Sequence, residues 1–167
     1  MDRGREMTYF TYPSEIGELR IVEDEGYIVA VDLTGTESSE IQAMYIESAI
    51  VATAAEQLYE YLSGERLVFD LPLRPKGTEF QLAVWNALLA IPYGQTRSYR
   101  DIAVAIGNPK AVRAVGMANH HNPISFIIPC HRVIGANGSL VGYGGGLPLK
   151  KRLLDMEQSV VENGLFK

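Results

Sequence analysis

The stretch SYRDIAVAIGNPKAVRAVGMANH, residues 98–120, decides how the second half of this 167-residue chain folds. Ser98 and Asp101 have the spacing of a reciprocal helix cap, and apolar residues follow them at helical intervals. Gly107 then supplies a stop, because glycine readily adopts the left-handed conformation that ends many helices. The pattern therefore predicts a short helix followed by a tight turn.

A second helix is predicted directly after that turn. Asn108 can cap it, and Pro109 suits its first position, where a backbone N–H has no helical partner. Asn122 precedes a proline and should lie beyond the end of this helix. Two such helices are typical of a helix-turn-helix, whose second helix contacts DNA, but a plain helical hairpin has the same pattern and is commoner.

The segment before these helices predicts a further helix and a domain boundary. Thr78 and Gln81 have capping-box spacing, and an apolar stripe follows at Phe80, Val84, Leu88 and Ile91, ending at Pro92. Residues 71–79, LPLRPKGTE, hold two prolines and a glycine, which favours a linker. We therefore expect the boundary at about residue 76.

The first half of the chain predicts a small sheet and one helix. Three runs rich in β-branched and aromatic residues indicate an antiparallel meander: MTYFTY (7–12), ELRIVED (18–24) and GYIVAVDL (26–33). Residues 47–65 then have an apolar stripe at helical spacing, formed by Val51, Ala55, Leu58 and Leu62. This pattern indicates an amphipathic helix that covers the sheet.

The charges divide unevenly between the two halves. Residues 1–77 hold 6 Lys and Arg against 15 Asp and Glu, whereas residues 78–157 hold 8 against 4. Such a division is one indication of nucleic-acid contact through the basic half, although most charge asymmetries are solvated surface. The chain has one cysteine, no apolar run of membrane-spanning length and no secretory leader pattern, so we expect a soluble cytoplasmic protein without membrane contact.

That cysteine lies in IIPCHRVIG, residues 127–135. A lone cysteine is usually a small buried hydrophobe, but Cys130 is followed directly by His131, a candidate base. Neighbouring side chains in a strand point to opposite faces, so the pair could act together only at a bend or through a bridging water. A reactive thiol is therefore one hypothesis beside the inert one. The nearby histidines lack the paired spacing of structural zinc sites, so no metal is expected.

The segments around Cys130 also have predicted structures. Residues 124–129, ISFIIP, indicate a buried extended run. A hairpin is expected to turn at Asn137 and Gly138. Residues 144–148 form a glycine-rich loop, and a last helix is predicted from Leu149 to Glu157.

Between residues 78 and 157 the chain resembles a known family. The motifs SYRDIA, GNPKAVRAVGMA, NP, PCHRV and GYGGGLPLKKRLLDME occur in the order and spacing of the O6-alkylguanine-DNA alkyltransferases. The resemblance implies an α/β + α fold, with a ribonuclease-H-like α/β domain at 1–76 and a mainly helical, winged-helix or helix-turn-helix-like domain at 77–167 that holds the active site. It also implies DNA repair by one irreversible transfer of an alkyl group from O6-alkylguanine, and from O4-alkylthymine, to Cys130.

The same resemblance implies the chemical roles of five residues. Cys130 is the expected alkyl acceptor, and His131 takes its proton through a water. Glu157 orients that histidine, and Asn122 fixes the active-site turn. Tyr99 assists rotation of the damaged nucleotide, hydrogen-bonds the flipped guanine and is the candidate proton donor to it.

The resemblance further implies how DNA is held. The second helix of the pair enters the minor groove, where Arg113 fills the space that the rotated nucleotide leaves. The other expected DNA-binding residues are Tyr99, Ala111, Ala114 and Gly116. The expected substrate pocket consists of Pro129, Val133, Tyr143, Gly144 and Gly145, with the carbonyls of Cys130 and Val133 accepting the guanine amino group.

Some features depart from the family pattern or leave alternatives open. No cysteine or histidine precedes His120, so the zinc site of some relatives is not expected, and neither is any cofactor. Many relatives have a serine where this chain has Gly144. Lys150, Lys151 and Arg152 could touch phosphate or merely solvate a helix. A monomer is expected, and the rival functions are a non-catalytic protein that binds alkylated DNA and a thiol hydrolase.

Overall fold

The computed structural model describes residues 7–35, 42–140 and 146–164. These residues form two compact units. The first contains the described residues up to Lys76 together with Pro123–Ser125, and the second contains Gly77–Asn122 and the described residues from Phe126 onward. No helix within the described ranges is both long and apolar enough to cross a membrane.

The first unit is a four-stranded sheet with one helix. Its elements are β1 (Met7–Tyr12), β2 (Leu19–Asp24), β3 (Tyr27–Leu33), β4 (Ala43–Tyr45) and α1 (Ala49–Leu62), and the strand order is β3-β2-β1-β4. The predicted antiparallel meander is confirmed, with Glu25 and Gly26 both at positive φ in the β2–β3 turn. Strand β4, which pairs parallel to β1, was not predicted.

The core of the first unit lies between the sheet and α1. Leu19, Ile21 and Val31 from the strands are fully buried, and so are Val51 and Leu58 from the helix. The predicted helical stripe is thus the face that packs on the sheet. Ser48 caps the helix through its side chain.

The second unit is mainly helical. Its helices are α2 (Glu79–Leu89), α3 (Tyr99–Ala105), α4 (Val112–His120) and α5 (Leu147–Glu162), and Cys130–Arg132 form a 3-10 turn. Two short strands, β5 (Arg97–Ser98) and β6 (Val133–Ile134), pair in parallel. Both predicted capping boxes are present, Thr78 with Gln81 and Ser98 with Asp101. Buried Val84, Leu88, Ile102 and Val115 fill the space among the first three helices.

The predicted start of α4 is wrong. The helix begins at Val112 after Ala111, which makes no side-chain cap, and not at Pro109 after Asn108. Instead, the Ala111 N–H donates to the Asn108 carbonyl at 3.0 Å and closes a turn. Proline suits the second position of such a turn as well as it suits a helix start, so the local signal was ambiguous.

Two further expectations around the cysteine need correction, and a third lies partly outside the described residues. Residues 124–129 are largely buried but form successive turns rather than an extended run, with Phe126 at φ +72°. The turn at Asn137 and Gly138 is present, with the Gly135 N–H donating to Ser139 O at 2.8 Å, and β6 pairs with β5, but residues 141–143 of the predicted hairpin are not among the described residues. Helix α5 extends past both predicted ends, from Leu147 to Glu162.

Candidate active site

Cys130 is the first residue of the 3-10 turn that follows Pro129. The Cys130 N–H donates to Ile128 O at 2.8 Å, and the Arg132 N–H donates to Pro129 O at 3.0 Å. This tight geometry is the bend that a cooperating cysteine and histidine require. Cys130 is 5% exposed and His131 is fully buried, so both lie away from bulk water.

Two asparagines from the end of α4 hold this turn. The Asn122 side-chain amide donates to Ile128 O at 2.8 Å, two residues before the cysteine. The Asn119 amide donates to the Cys130 carbonyl at 3.3 Å, and this buried residue was not predicted. The candidate DNA-contacting helix and the candidate acceptor are therefore joined by hydrogen bonds.

Glu157 on α5 is the centre of a buried polar network. Its Oε2 lies 2.7 Å from His131 Nε2, and the Arg132 guanidinium donates to both carboxylate oxygens at 2.9 and 3.0 Å. The Gly94 N–H donates to Oε1 at 3.0 Å. Burial raises the pKa of Glu157, but the hydrogen bonds from His131 and Arg132, together with the charge of Arg132, outweigh burial and lower that pKa to about 2.

The network fixes the protonation state of His131. Burial is the largest cause that lowers the pKa of His131, and it exceeds the opposing effect of Glu157, so the ring is neutral at pH 7. An ionised carboxylate can only accept hydrogen bonds, hence Nε2 carries the hydrogen and Nδ1 is the basic nitrogen. His131 is thus oriented as a base.

Cys130 is a protonated thiol at rest. Burial raises its pKa, while a hydrogen bond from the Asn122 side chain, the charge of Lys150 and backbone N–H groups lower it in part. A nucleophilic role for Cys130 therefore requires that the thiol proton leaves first.

Lys150, in the first turn of α5, is fully buried beside the cysteine turn. Its Nζ donates to Val133 O at 2.5 Å and lies 5.9 Å from the centroid of the Tyr99 ring. Burial lowers the pKa of Lys150 to about 8, against the opposing effect of Cys130. Because Lys150 is buried, it fits neither of the two predicted roles, contact with phosphate or solvation of the helix surface. Its neighbour Lys151 is exposed and pairs with Asp155.

Tyr99 is the first residue of α3 and is positioned by the Ser98–Asp101 capping box. Burial raises the pKa of Tyr99, and the interaction with Cys130 raises it further. The phenol is therefore protonated at neutral pH and has a proton to donate. Helix α4 approaches it at Gly116, where an added Cβ would lie 3.9 Å from the ring.

The exposed face of α4 includes the predicted contact residues. Arg113 and Ala114 are exposed, and Ala111 and Gly116 are half-buried. Met117, which was not predicted, is 56% exposed on the same helix. Apolar and small side chains around one arginine form a surface on which a partner can lie close to the backbone.

The predicted pocket residues are only partly described. Pro129 and Val133 are buried at the cysteine turn, whereas Tyr143, Gly144 and Gly145 lie outside the described residues. The Cys130 carbonyl accepts from the Val133 N–H and from Asn119, and the Val133 carbonyl accepts from Lys150. In the described ranges, no group of three or more His, Cys, Asp or Glu side chains could hold a metal ion.

Comparisons with known proteins match nearly the whole chain. Residues 79–159 match the family model of the 6-O-methylguanine DNA methyltransferase DNA-binding domain, and residues 7–75 match that of the ribonuclease-like domain. A methylated-DNA–protein-cysteine methyltransferase of Methanosarcina acetivorans is 49% identical over 92% of this chain and 99% of its own length. The constitutive one of Bacillus subtilis is 46% identical over 90% and 94%.

Solved structures give the same result. The O6-methylguanine methyltransferase of Mycobacterium tuberculosis has a TM-score of 0.85 with 46% identity, covering 92% of this chain and 93% of that one. The crystal structure of Mycobacterium tuberculosis OGT in complex with DNA has a TM-score of 0.87 with 46% identity, covering 92% and 94%.

Proposed function

Because this chain belongs to the family of the methylated-DNA–protein-cysteine methyltransferases, we propose that it repairs DNA by moving the alkyl group of O6-alkylguanine, and of O4-alkylthymine, on to Cys130. The observation that supports this most is the position of the chain's only cysteine, beside a neutral histidine that a buried carboxylate orients. DNA is the partner, and Cys130 is the acceptor in a transferase reaction.

The first chemical step is removal of the thiol proton. His131 takes it through a bridging water at Nδ1, since Nε2 is engaged with Glu157. Glu157 then stabilises the imidazolium that forms, and the bidentate contact from Arg132 keeps the carboxylate in place. A thiol of ordinary pKa is about 3% ionised at pH 7, so full ionisation would make it about thirtyfold more reactive, near 2 kcal/mol. The raised pKa of buried Cys130 makes the gain from proton removal larger than this.

The second step transfers the alkyl group. The Cys130 sulfur attacks the alkyl carbon, the bond from that carbon to O6 breaks, and its electron pair passes to the guanine, which takes a proton from the Tyr99 hydroxyl. Alignment of sulfur, carbon and leaving oxygen supplies most of the acceleration. The product is a thioether, which is stable to hydrolysis, so each protein molecule acts once.

Binding presents the base to this site from the minor groove. Helix α4 enters the groove, Arg113 occupies the vacated stack, and Ala111, Ala114 and Gly116 allow close approach, with rotation of the nucleotide assisted by Tyr99. The excess of basic residues in 78–157 supports contact with phosphates, so added salt weakens binding.

The pocket for the base includes Pro129, Val133, Tyr143, Gly144 and Gly145. The carbonyls of Cys130 and Val133 accept the guanine amino group, which has to share or displace their contacts with Asn119 and Lys150. The protein acts as a monomer, and we place it in the reducing cytoplasm, where the thiol persists.

The test is the mass of the protein after incubation with a duplex that contains one O6-methylguanine. We expect the wild type to gain one methyl group, and we expect Cys130→Ala and a duplex with unmodified guanine to give no gain. Binding without a mass gain would indicate a non-catalytic DNA-binding protein and would contradict the proposal. A duplex with O4-methylthymine tests the second lesion separately.

A further inference from the structure

Lys150 is placed where a lysine lowers the stability of the fold. It is fully buried, and burial of an ammonium group is unfavourable even when the group is hydrogen-bonded. It also lies in the first turn of α5, with its N–H donating to Gly146 O, and a positive charge there opposes the helix dipole. Because packing and helix stability both disfavour this residue, its presence calls for a chemical reason.

The groups around Lys150 supply that reason. Val133 O accepts from its Nζ at 2.5 Å, and the Tyr99 ring of α3 lies 5.9 Å from Nζ. From the 3-10 turn, Cys130 and His131 both sense its charge: the charge lowers the pKa of Cys130 and also that of His131. The ammonium thus lies near the Tyr99 ring and acts electrostatically on both Cys130 and His131.

We propose that Lys150 is a positioning residue of the transfer reaction, whose buried ammonium, held by the Val133 carbonyl, stabilises negative charge on the Cys130 sulfur. The role of Lys150 in methyl transfer rests on the proposed function, whereas its effect on the Cys130 thiol can be measured without DNA. Burial is the main cause that keeps His131 neutral, and the charge of Lys150 acts in the same direction.

The ammonium does not exchange a proton in this scheme. The thiol proton goes to His131, the sulfur electron pair forms the bond to the alkyl carbon, and the electron pair of the broken C–O6 bond is neutralised by the Tyr99 proton. The Tyr99 phenolate that remains lies near Lys150 until it takes a proton from solvent. His131 in turn releases the thiol proton to solvent. Lys150 therefore faces the negative charge at the first and the last stage.

The experiment measures alkylation of Cys130 by iodoacetamide as a function of pH, without DNA. Cys130 is the only cysteine, so mass spectrometry of its peptide reports a single thiol. Lys150→Met removes the charge with little change of shape, Lys151→Met removes a charge from the exposed neighbouring position, and Lys150→Arg retains a charge that does not titrate. The reagent is identical in every case.

We expect the wild type to react about tenfold faster than Lys150→Met at pH 7, since a nearby positive charge shifts a thiol pKa by about one unit. Because the pKa of Lys150 is about 8, that advantage should disappear above about pH 9. Lys151→Met should react like the wild type, and Lys150→Arg should keep its advantage above pH 9. A thermal unfolding midpoint for Lys150→Met equal to or above that of the wild type would support a role other than packing.

Equal rates for the wild type and Lys150→Met at pH 7, or a ratio that is the same at every pH, would overturn the proposal. If Lys150→Met does not fold, the pH profile of the wild type alone tests the proposal. The rate of Cys130 alkylation, plotted against pH, should rise with a lower slope above about pH 8, where Lys150 loses its charge. A slope that does not change near pH 8 would contradict the proposal. Methyl transfer from DNA is measured in a separate experiment. If the protein proved not to be an alkyltransferase, the iodoacetamide experiment would still show whether Lys150 stabilises the thiolate.

Discussion

The cysteine centre and the exposed face of α4 are built in opposite ways. At the centre, Cys130, His131 and Glu157 are buried and tied to one another or to backbone by short contacts. On α4, by contrast, the side chains of Arg113 and Ala114 are exposed to solvent. The two regions are nevertheless joined through Asn119 and Asn122.

This contrast separates two kinds of contribution. Groups at the centre already make their contacts in the free protein, so their substitution should change stability as well as reaction. Under the proposed function, the exposed residues of α4 contact DNA, so their substitution should change the reaction on duplex DNA and leave the stability of the free protein unchanged.

The largest effect is expected from Glu157→Gln. The amide would place N–H groups against donors from His131, Arg132 and Gly94 and would leave a buried guanidinium without its carboxylate. We expect a loss of about 3–5 kcal/mol in the free energy of unfolding, measured with urea. Glu162→Gln, at an exposed position on the same helix, should change it by less than about 0.5 kcal/mol. Similar losses for both variants would contradict a central role for Glu157.

The next effect is a loss of stability in acid. The folded state keeps His131 neutral with a lowered pKa, so the unfolded state binds a proton that the folded state does not as pH falls below 6.5. Glu157, with a folded pKa of about 2, contributes stability above pH 4.5 that is lost between pH 4.5 and 2. The free energy of unfolding should therefore fall between pH 7 and 5.

His131→Gln tests this origin directly. It should abolish most of the decrease between pH 7 and 5, whereas His121→Gln, which removes an exposed imidazole, should preserve it. A decrease of the same size in His131→Gln would show that other groups cause it.

On the exposed side, Arg113→Ala should slow transfer from duplex DNA by about 10- to 100-fold, because nothing then fills the open stack. Stability should be unchanged, and transfer from single-stranded DNA should be close to that of the wild type, since no stack has to be held open. Arg113→Lys retains the charge and should recover part of the rate. Equal loss on both substrates would place Arg113 in the chemistry.

The smallest effect is expected from Gly116→Ala. In the free protein the added methyl group meets the Tyr99 ring at an ordinary contact distance, and alanine favours the helix, so stability should be equal or higher. Transfer from duplex DNA should fall by less than about tenfold, since the helix can no longer approach as closely. If Gly116→Ala also slowed alkylation of Cys130 by iodoacetamide without DNA, the substitution would act on the cysteine site and not on DNA binding.

The parts of the fold that the sequence predicted are those with local signals. The capping box of Thr78 and Gln81 and the stripe of α1 follow from the residues themselves and are confirmed. Strand β4 has only three residues and forms because β1 offers an edge with which to pair. Asn108 and Pro109 fit a turn and a helix start equally well, and the structure selects the turn.

The candidate site was harder to predict from the sequence than the fold. The contacts of Glu157 with His131 and Arg132 span 26 and 25 residues, so only the family resemblance pointed to Glu157. Lys150 lies beside two exposed basic residues in sequence, and its burial depends on tertiary packing. Asn119 has no local feature that separates it from an ordinary helix residue.

The most direct test of the account is to count methyl groups on Cys130. Protein is incubated with an excess of duplex that contains O6-methylguanine, and methyl groups on the DNA and on the peptide with Cys130 are counted until the reaction stops. We expect the DNA to lose one methyl group per protein molecule and that methyl group to be found on Cys130. Removal of more methyl groups than there are protein molecules, or methylation at another residue, would contradict it.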